Sequence, residues 1–141
     1  MGQTVLIVDD HRAFRESASA LLAAEGYCVV GLACDGAEAI TQTRRLRPQI
    51  VLLDIGLPDL DGFAIARRLA AITDPPRVVL TSSRDLAAYG PQVPWPAIRG
   101  FIAKRELCGR SLAALVGGGA AGYSAASPAA AAGGDGGAPM A

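Results

Sequence analysis

The 141-residue chain has no excess of either charge: 13 Lys and Arg balance 13 Asp and Glu. The basic field that marks a nucleic-acid-binding module is missing, so no nucleic-acid partner is expected. Cysteine is scarce. Cys28, Cys34 and Cys108 form an odd set with no CxxC spacing, which argues against a disulfide framework or a zinc centre and leaves small buried or half-buried thiols. No apolar run reaches the length of a membrane span, so no membrane association is expected. The N-terminal run is too short, and lacks the basic start, of a secretory signal. The simplest compartment is the cytoplasm.

What is present is enough to build a core. The chain is 51% hydrophobic and 18% charged, and its length favours one domain. Its most telling stretch is Ile50-Val-Leu-Leu-Asp54-Ile-Gly-Leu-Pro58-Asp-Leu-Asp-Gly62. Ile50–Leu53 has no polar alternation, which reads as a strand buried on both faces. It stops on one carboxylate, and turn residues follow at once. Asp54 therefore emerges at the carboxyl end of a strand, where open α/β sheets build their sites.

The rest of the chain alternates. Thr4–Val8, Tyr27–Ala33, Gln49–Asp54, Arg77–Ser82 and Gly100–Ala103 read as strands. Between them Phe14, Ala18, Leu21 and Leu22 share one helical face, with Gly26 placed to end that helix. Ala39, Ile40, Thr43 and Leu46 share a second face before Pro48, and the basic Arg44, Arg45 and Arg47 fit a solvated helix end. Ile65, Ala66, Leu69 and Ile72 share a third behind an Asp61 N-cap. Glu106–Val116 reads as a last helix, weakened by Gly109. The pattern predicts an α/β fold: a doubly wound, five-stranded parallel sheet in the flavodoxin-like order 2-1-3-4-5.

Two stretches depart from the alternation. Asp85–Tyr89 allows a helical stub, but Gly90-Pro91, Pro94 and Pro96 prevent a long helix there. The fourth helix is expected to be shortened or replaced by a Pro-rich loop carrying Trp95, as a packed anchor or a partner contact. Gly and Ala dominate residues 117–141, which are expected to form a disordered tail after a domain spanning 1–116.

In the 2-1-3-4-5 order the first and third strands are neighbours, so Asp9, Asp10 and Asp54 converge at one edge. Three carboxylates that close repel one another, and a hard divalent cation relieves the repulsion. Mg²⁺ suits such a site because it takes one or two carboxylates, keeps waters and completes its shell with a phosphate oxygen. A carboxylate so supported can act as a nucleophile toward a phosphoryl group. Thr81 offers a hydroxyl and Lys104 an ammonium for the new phosphate oxygens. Taken singly, each residue has a plainer reading: Asp9 and Asp10 as helix caps, Asp54 as a turn residue, Thr81 as a β-former, Lys104 as a surface lysine. His11, which follows the aspartates, is most simply a surface residue at a helix start.

The motifs Val-Asp9-Asp10, Leu-Leu-Asp54-Ile-Gly-Leu-Pro58-Asp-Leu-Asp61-Gly62, Val-Leu-Thr81-Ser82 and Gly-Phe101-Ile-Ala-Lys104 together resemble a response-regulator receiver domain of two-component signalling, over about Thr4 to Val116. The resemblance implies Asp54 as phosphoacceptor, Asp10 as a direct Mg²⁺ ligand, Asp9 as a ligand mostly through water, and Gly56 as a carbonyl ligand. It implies Thr81 as the switch hydroxyl, Phe101 as the switch aromatic and Lys104 as the phosphate-contacting lysine. The donor would be a phosphohistidine on a sensor histidine kinase or phosphotransfer protein, and the output a downstream protein partner, since no DNA-binding helix-turn-helix follows. Three departures stand out: the interrupted fourth helix, Arg105 where a proline is frequent, and small residues, Gly56 and Ser83, where relatives tune dephosphorylation. Two other functions compete. One is an interaction module that works without phosphorylation. The other is a Mg²⁺-dependent phosphatase, although Gly56 stands where such enzymes carry a second aspartate.

Overall fold

Ile50–Leu53 can afford no polar residue because it runs through the middle of the sheet. The computed structural model describes residues 2–83 and 98–116. Its elements are β1 (Thr4–Val8), α1 (Arg12–Ala24), β2 (Cys28–Ala33), α2 (Gly36–Leu46), β3 (Ile50–Asp54), α3 (Gly62–Ala70), β4 (Arg77–Ser82), β5 (Ile98–Ala103) and α4 (Gly109–Val116). The sheet order is β2-β1-β3-β4-β5, and every pairing is parallel. Every residue of β3 is buried. The expected fold is the one observed.

Strand side chains alternate between the two faces, and the core divides accordingly. Leu6, Val8, Val51, Leu53, Val78 and Leu80 point toward Ala39 of α2 and Ile65, Ala66 and Leu69 of α3. Val5, Ile7, Ile50, Leu52 and Val79 point toward Ala18 and Leu22 of α1 and Leu112 and Val116 of α4. Each large apolar side chain so buried stabilises the fold by roughly 1.5–3 kcal/mol relative to exposure. Register carries the strand ends to one edge: Val8 lies beside Leu53, Asp54 beside Thr81, and Ser82 beside Ala103.

The helix punctuation follows the sequence at most points. The Asp61 side chain accepts from the Ala64 N–H at 2.8 Å, as an N-cap should. Gly26 has φ +98° and donates to the Ala23 carbonyl, closing α1 in the left-handed conformation that glycine tolerates. Asp9 and Asp10 do not cap α1. His11 holds the N-cap position, with no side-chain capping bond.

The last helix differs from expectation. Lys104–Glu106 forms a 3-10 turn and α4 begins only at Gly109. The Glu25 carboxylate, from the end of α1, accepts the Gly109 N–H at 2.5 Å, and Ser111 Oγ accepts the Cys108 N–H at 3.0 Å. These bonds fix the helix start, where glycine costs less than in a helix interior. The expected Asp85–Tyr89 stub, the loop carrying Trp95 and the tail 117–141 lie outside the described residues.

Candidate functional site

Asp9 follows β1 and continues its ladder, its N–H donating to the Ala33 carbonyl at 3.0 Å. The residue is fully buried. Its Oδ1 accepts the His11 N–H at 2.8 Å, and its backbone carbonyl accepts from Arg15 Nη1 at 2.7 Å. Asp10 is exposed. The His11 ring Nδ1 lies 3.2 Å from a carboxylate oxygen of each aspartate.

Asp54 ends β3 and is 4% exposed. The next N–H, that of Ile55, donates to the Thr81 carbonyl at 3.0 Å, so the β3–β4 ladder continues one residue past the carboxylate. Asp54 Oδ1 accepts the Gly56 N–H at 3.1 Å. Burial pushes the Asp54 carboxyl above its ordinary range, and Asp9 and Asp10 add to the rise. The Gly56 N–H and Lys104 oppose it.

The segment after Asp54 is anchored at two points. Asp59 accepts the Gly36 and Ala37 N–H groups at 2.8 and 3.1 Å, tying the loop to the first turn of α2. Those backbone donors hold the Asp59 carboxyl below its ordinary range. Gly62 sits so close to the loop that an added Cβ would lie 2.7 Å from Ile55 Cα and 3.0 Å from the Asp54 carbonyl oxygen. Only glycine fits there. Gly56, by contrast, is exposed with open space before it.

Lys104 follows β5 and reaches back across the sheet edge. Its Nζ lies 2.5 Å from Asp9 Oδ2 and 3.6 Å from Asp54 Oδ2, and 4.7 Å from the centre of the Phe14 ring. The side chain is 14% exposed, so the pairs are little screened. Thr81 Oγ1 is buried without a hydrogen-bond partner among the described residues. Phe101 is half-buried and packs on the core beneath α2 and α3.

The fold thus brings Asp9, Asp10, Asp54 and Lys104 into one cluster, with Thr81 beside Asp54 in register. One ligand atom from each of Asp9, Asp10, His11 and Asp54 fits within a 4.8 Å set. Oxygen donors in this number suit a hard cation. The unpartnered Thr81 hydroxyl suits an incoming oxyanion. Sequence reading alone does not reveal Arg15, Asp59 or the Phe14 contact. Phe14 reads as part of an apolar helix stripe, and Asp59 as one more acidic turn residue.

An open parallel sheet whose central strands gather acidic side chains at their carboxyl edge, with one lysine set among them, defines a doubly wound receiver-type fold. The chain belongs to the response regulator receiver domain family, which is matched over residues 5–114. It is 36% identical over 110 residues to a protein assigned as a transcriptional regulator in Pseudomonas aeruginosa, covering 78% of this chain and 53% of that one. It is 41% identical over 85 residues to protein-glutamate methylesterase/protein-glutamine glutaminase 2 of Anaeromyxobacter dehalogenans, covering 60% of this chain and 25% of that enzyme. Among solved structures, the signal receiver domain of the response regulator assigned as NarL from Mycobacterium tuberculosis superposes with TM-score 0.67 at 31% identity, covering 82% of this chain and 98% of that domain. The chain spans about half the length, or less, of these curated relatives. The matched family is one of signalling domains, and no described helix is long and apolar enough to cross a membrane.

Proposed function

We propose that the chain is a phosphoacceptor switch, taking a phosphoryl group onto Asp54 from a phosphohistidine of a sensor histidine kinase or phosphotransfer protein. The observation that carries this reading is the convergence of three carboxylates and one ammonium at the ends of β1, β3 and β5. An Asp54 carboxylate oxygen attacks phosphorus. The bond from phosphorus to the imidazole nitrogen breaks, that nitrogen keeps the electron pair, and the product is an acyl phosphate on Asp54. Mg²⁺ would be held by Asp9, Asp10, Asp54 and the Gly56 carbonyl, and when bound would supply positive charge to the phosphoryl oxygens.

The chain's own residues supply the rest. Lys104, already 3.6 Å from Asp54 Oδ2, pairs with a phosphoryl oxygen, and the unpartnered Thr81 hydroxyl donates to another. Movement of Thr81 toward the phosphate and repacking of Phe101 would present an altered surface to a downstream protein partner. Turnover of a free substrate is not part of this reading.

The test is intact-protein mass after incubation with acetyl phosphate, with and without Mg²⁺, beside Asp54→Asn. The expected result is one added phosphoryl group on the wild type, only with the metal, and none on the variant. Equal modification of Asp54→Asn would remove Asp54 from the role. No modification of either protein would favour an interaction module that works without phosphorylation.

A further inference from the structure

We propose that Phe14 is a positioning residue for Lys104, holding the ammonium at the carboxylates without taking up any of its hydrogen bonds; this rests on the phosphoacceptor reading. The Lys104 Nζ has three neighbours of note: Asp9 Oδ2 at 2.5 Å, Asp54 Oδ2 at 3.6 Å and the Phe14 ring centre at 4.7 Å. The first two are anions that the phosphotransfer chemistry itself engages. The third is neutral.

A ring face attracts an ammonium through its quadrupole, and more strongly where water is excluded. Lys104 is 14% exposed, so the contact is largely desolvated. Phe14 is itself held in place. It lies in the first turn of α1 and packs against the core cluster containing Ala18, Leu22 and Leu112. The next residue, Arg15, donates to the Asp9 carbonyl, so α1 fixes one carboxylate and the ring together.

An anionic or hydrogen-bonding neighbour in the place of the ring would compete for the lysine N–H groups. An aromatic face restricts the flexible lysine stem yet leaves all three N–H groups free for oxygens. Its attraction is broad in direction, so Nζ can move from Asp9 toward a phosphoryl oxygen on Asp54 while keeping the contact. An aliphatic side chain of similar volume fills the space but lacks this attraction.

The full chain is compared as wild type, Phe14→Tyr and Phe14→Leu, with Phe14→Met replacing the latter if it does not fold. Three quantities are read: the rate of phosphorylation by acetyl phosphate with Mg²⁺, Mg²⁺ affinity by calorimetry, and the ring-current shift of the Lys104 ε-methylene protons by NMR without phosphodonor. Phe14→Leu should lose the ring-current shift and phosphorylate about fivefold more slowly at unchanged Mg²⁺ affinity. Phe14→Tyr should keep both properties within about twofold of wild type. A wild-type rate in Phe14→Leu despite a lost shift, or a Phe14→Tyr rate as low as that of Phe14→Leu, overturns the proposal. If the wild type shows the shift but takes no phosphoryl group, the contact is real and the phosphoacceptor reading fails, and the positioning role fails with it.

Discussion

Lys104 stands closer to Asp9 than to Asp54, at 2.5 Å against 3.6 Å. Asp9 is fully buried, and among the described residues no neutral donor reaches its Oδ2. Among the described residues the Lys104 ammonium is what balances that oxygen. A Lys104→Met variant leaves the aspartate buried and uncompensated, at a cost of about 3 kcal/mol. Urea denaturation in chelator should show the loss, and added Mg²⁺ should recover more stability in the variant than in the wild type. An unchanged midpoint would mean that Asp9 is balanced by other means.

Asp54 makes a pH-dependent contribution whose sign is opposite to that of an ordinary paired carboxylate. Its folded-state pKa is raised above the ordinary 3.8, first by burial. The folded protein therefore binds the proton more tightly than the unfolded chain. Stability falls as pH climbs from the ordinary value through the raised one, and the full cost is present above it. Asp54→Asn should melt a few degrees higher than wild type at neutral pH, with the gap closing below pH 3.8. Thermal melts across that range measure it, and a gap that widens on acidification would contradict the burial argument.

Asp59 has the reverse sign. Its carboxyl is held below the ordinary range by the Gly36 and Ala37 N–H groups. Its contribution is present above the ordinary value and disappears as pH falls through the lowered one. Asp59→Ala should melt lower than wild type near neutrality and converge with it in acid. Hydrogen exchange should show faster opening at the start of α2, the part of the helix the loop holds.

Gly62→Ala tests how closely α3 approaches the acceptor strand. The new methyl meets three backbone atoms, Ile55 Cα, the Asp54 carbonyl oxygen and the Ile55 nitrogen, and none can rotate away. The expected cost is about 1–3 kcal/mol. Binding of beryllofluoride with Mg²⁺ should weaken as well, because relief of the clash moves the loop that follows Asp54. Stability loss with unaltered beryllofluoride binding would show that the loop absorbs the strain without moving the site.

How much of this is legible in the sequence depends on the distance over which each feature acts. Ile50–Asp54 announces a buried strand and its terminal carboxylate within five residues, and Asp61 announces a helix cap within four. The convergence of Asp9 with Asp54 is legible one step later, through strand order. Features fixed by side chains distant in sequence are not. The start of α4 depends on Glu25, 84 residues from Gly109. The loop after Asp54 depends on Asp59 bonding to a turn 23 residues before it. No local period encodes either bond. Phe14 satisfies the apolar stripe of α1 whether or not a lysine lies over its face, so its pattern carries no trace of the contact.

The bond from the Ile55 N–H to the Thr81 carbonyl has a further chemical consequence. An activated acyl group on an aspartate side chain is open to attack by the amide nitrogen of the following residue, which closes a five-membered imide and destroys the aspartate. For the acyl phosphate proposed at Asp54, that nitrogen belongs to Ile55. It lies at the turn where β3 ends, and its N–H is committed across the sheet to the Thr81 carbonyl. The hydrogen bond that sets the register thus also guards the acceptor against its own backbone.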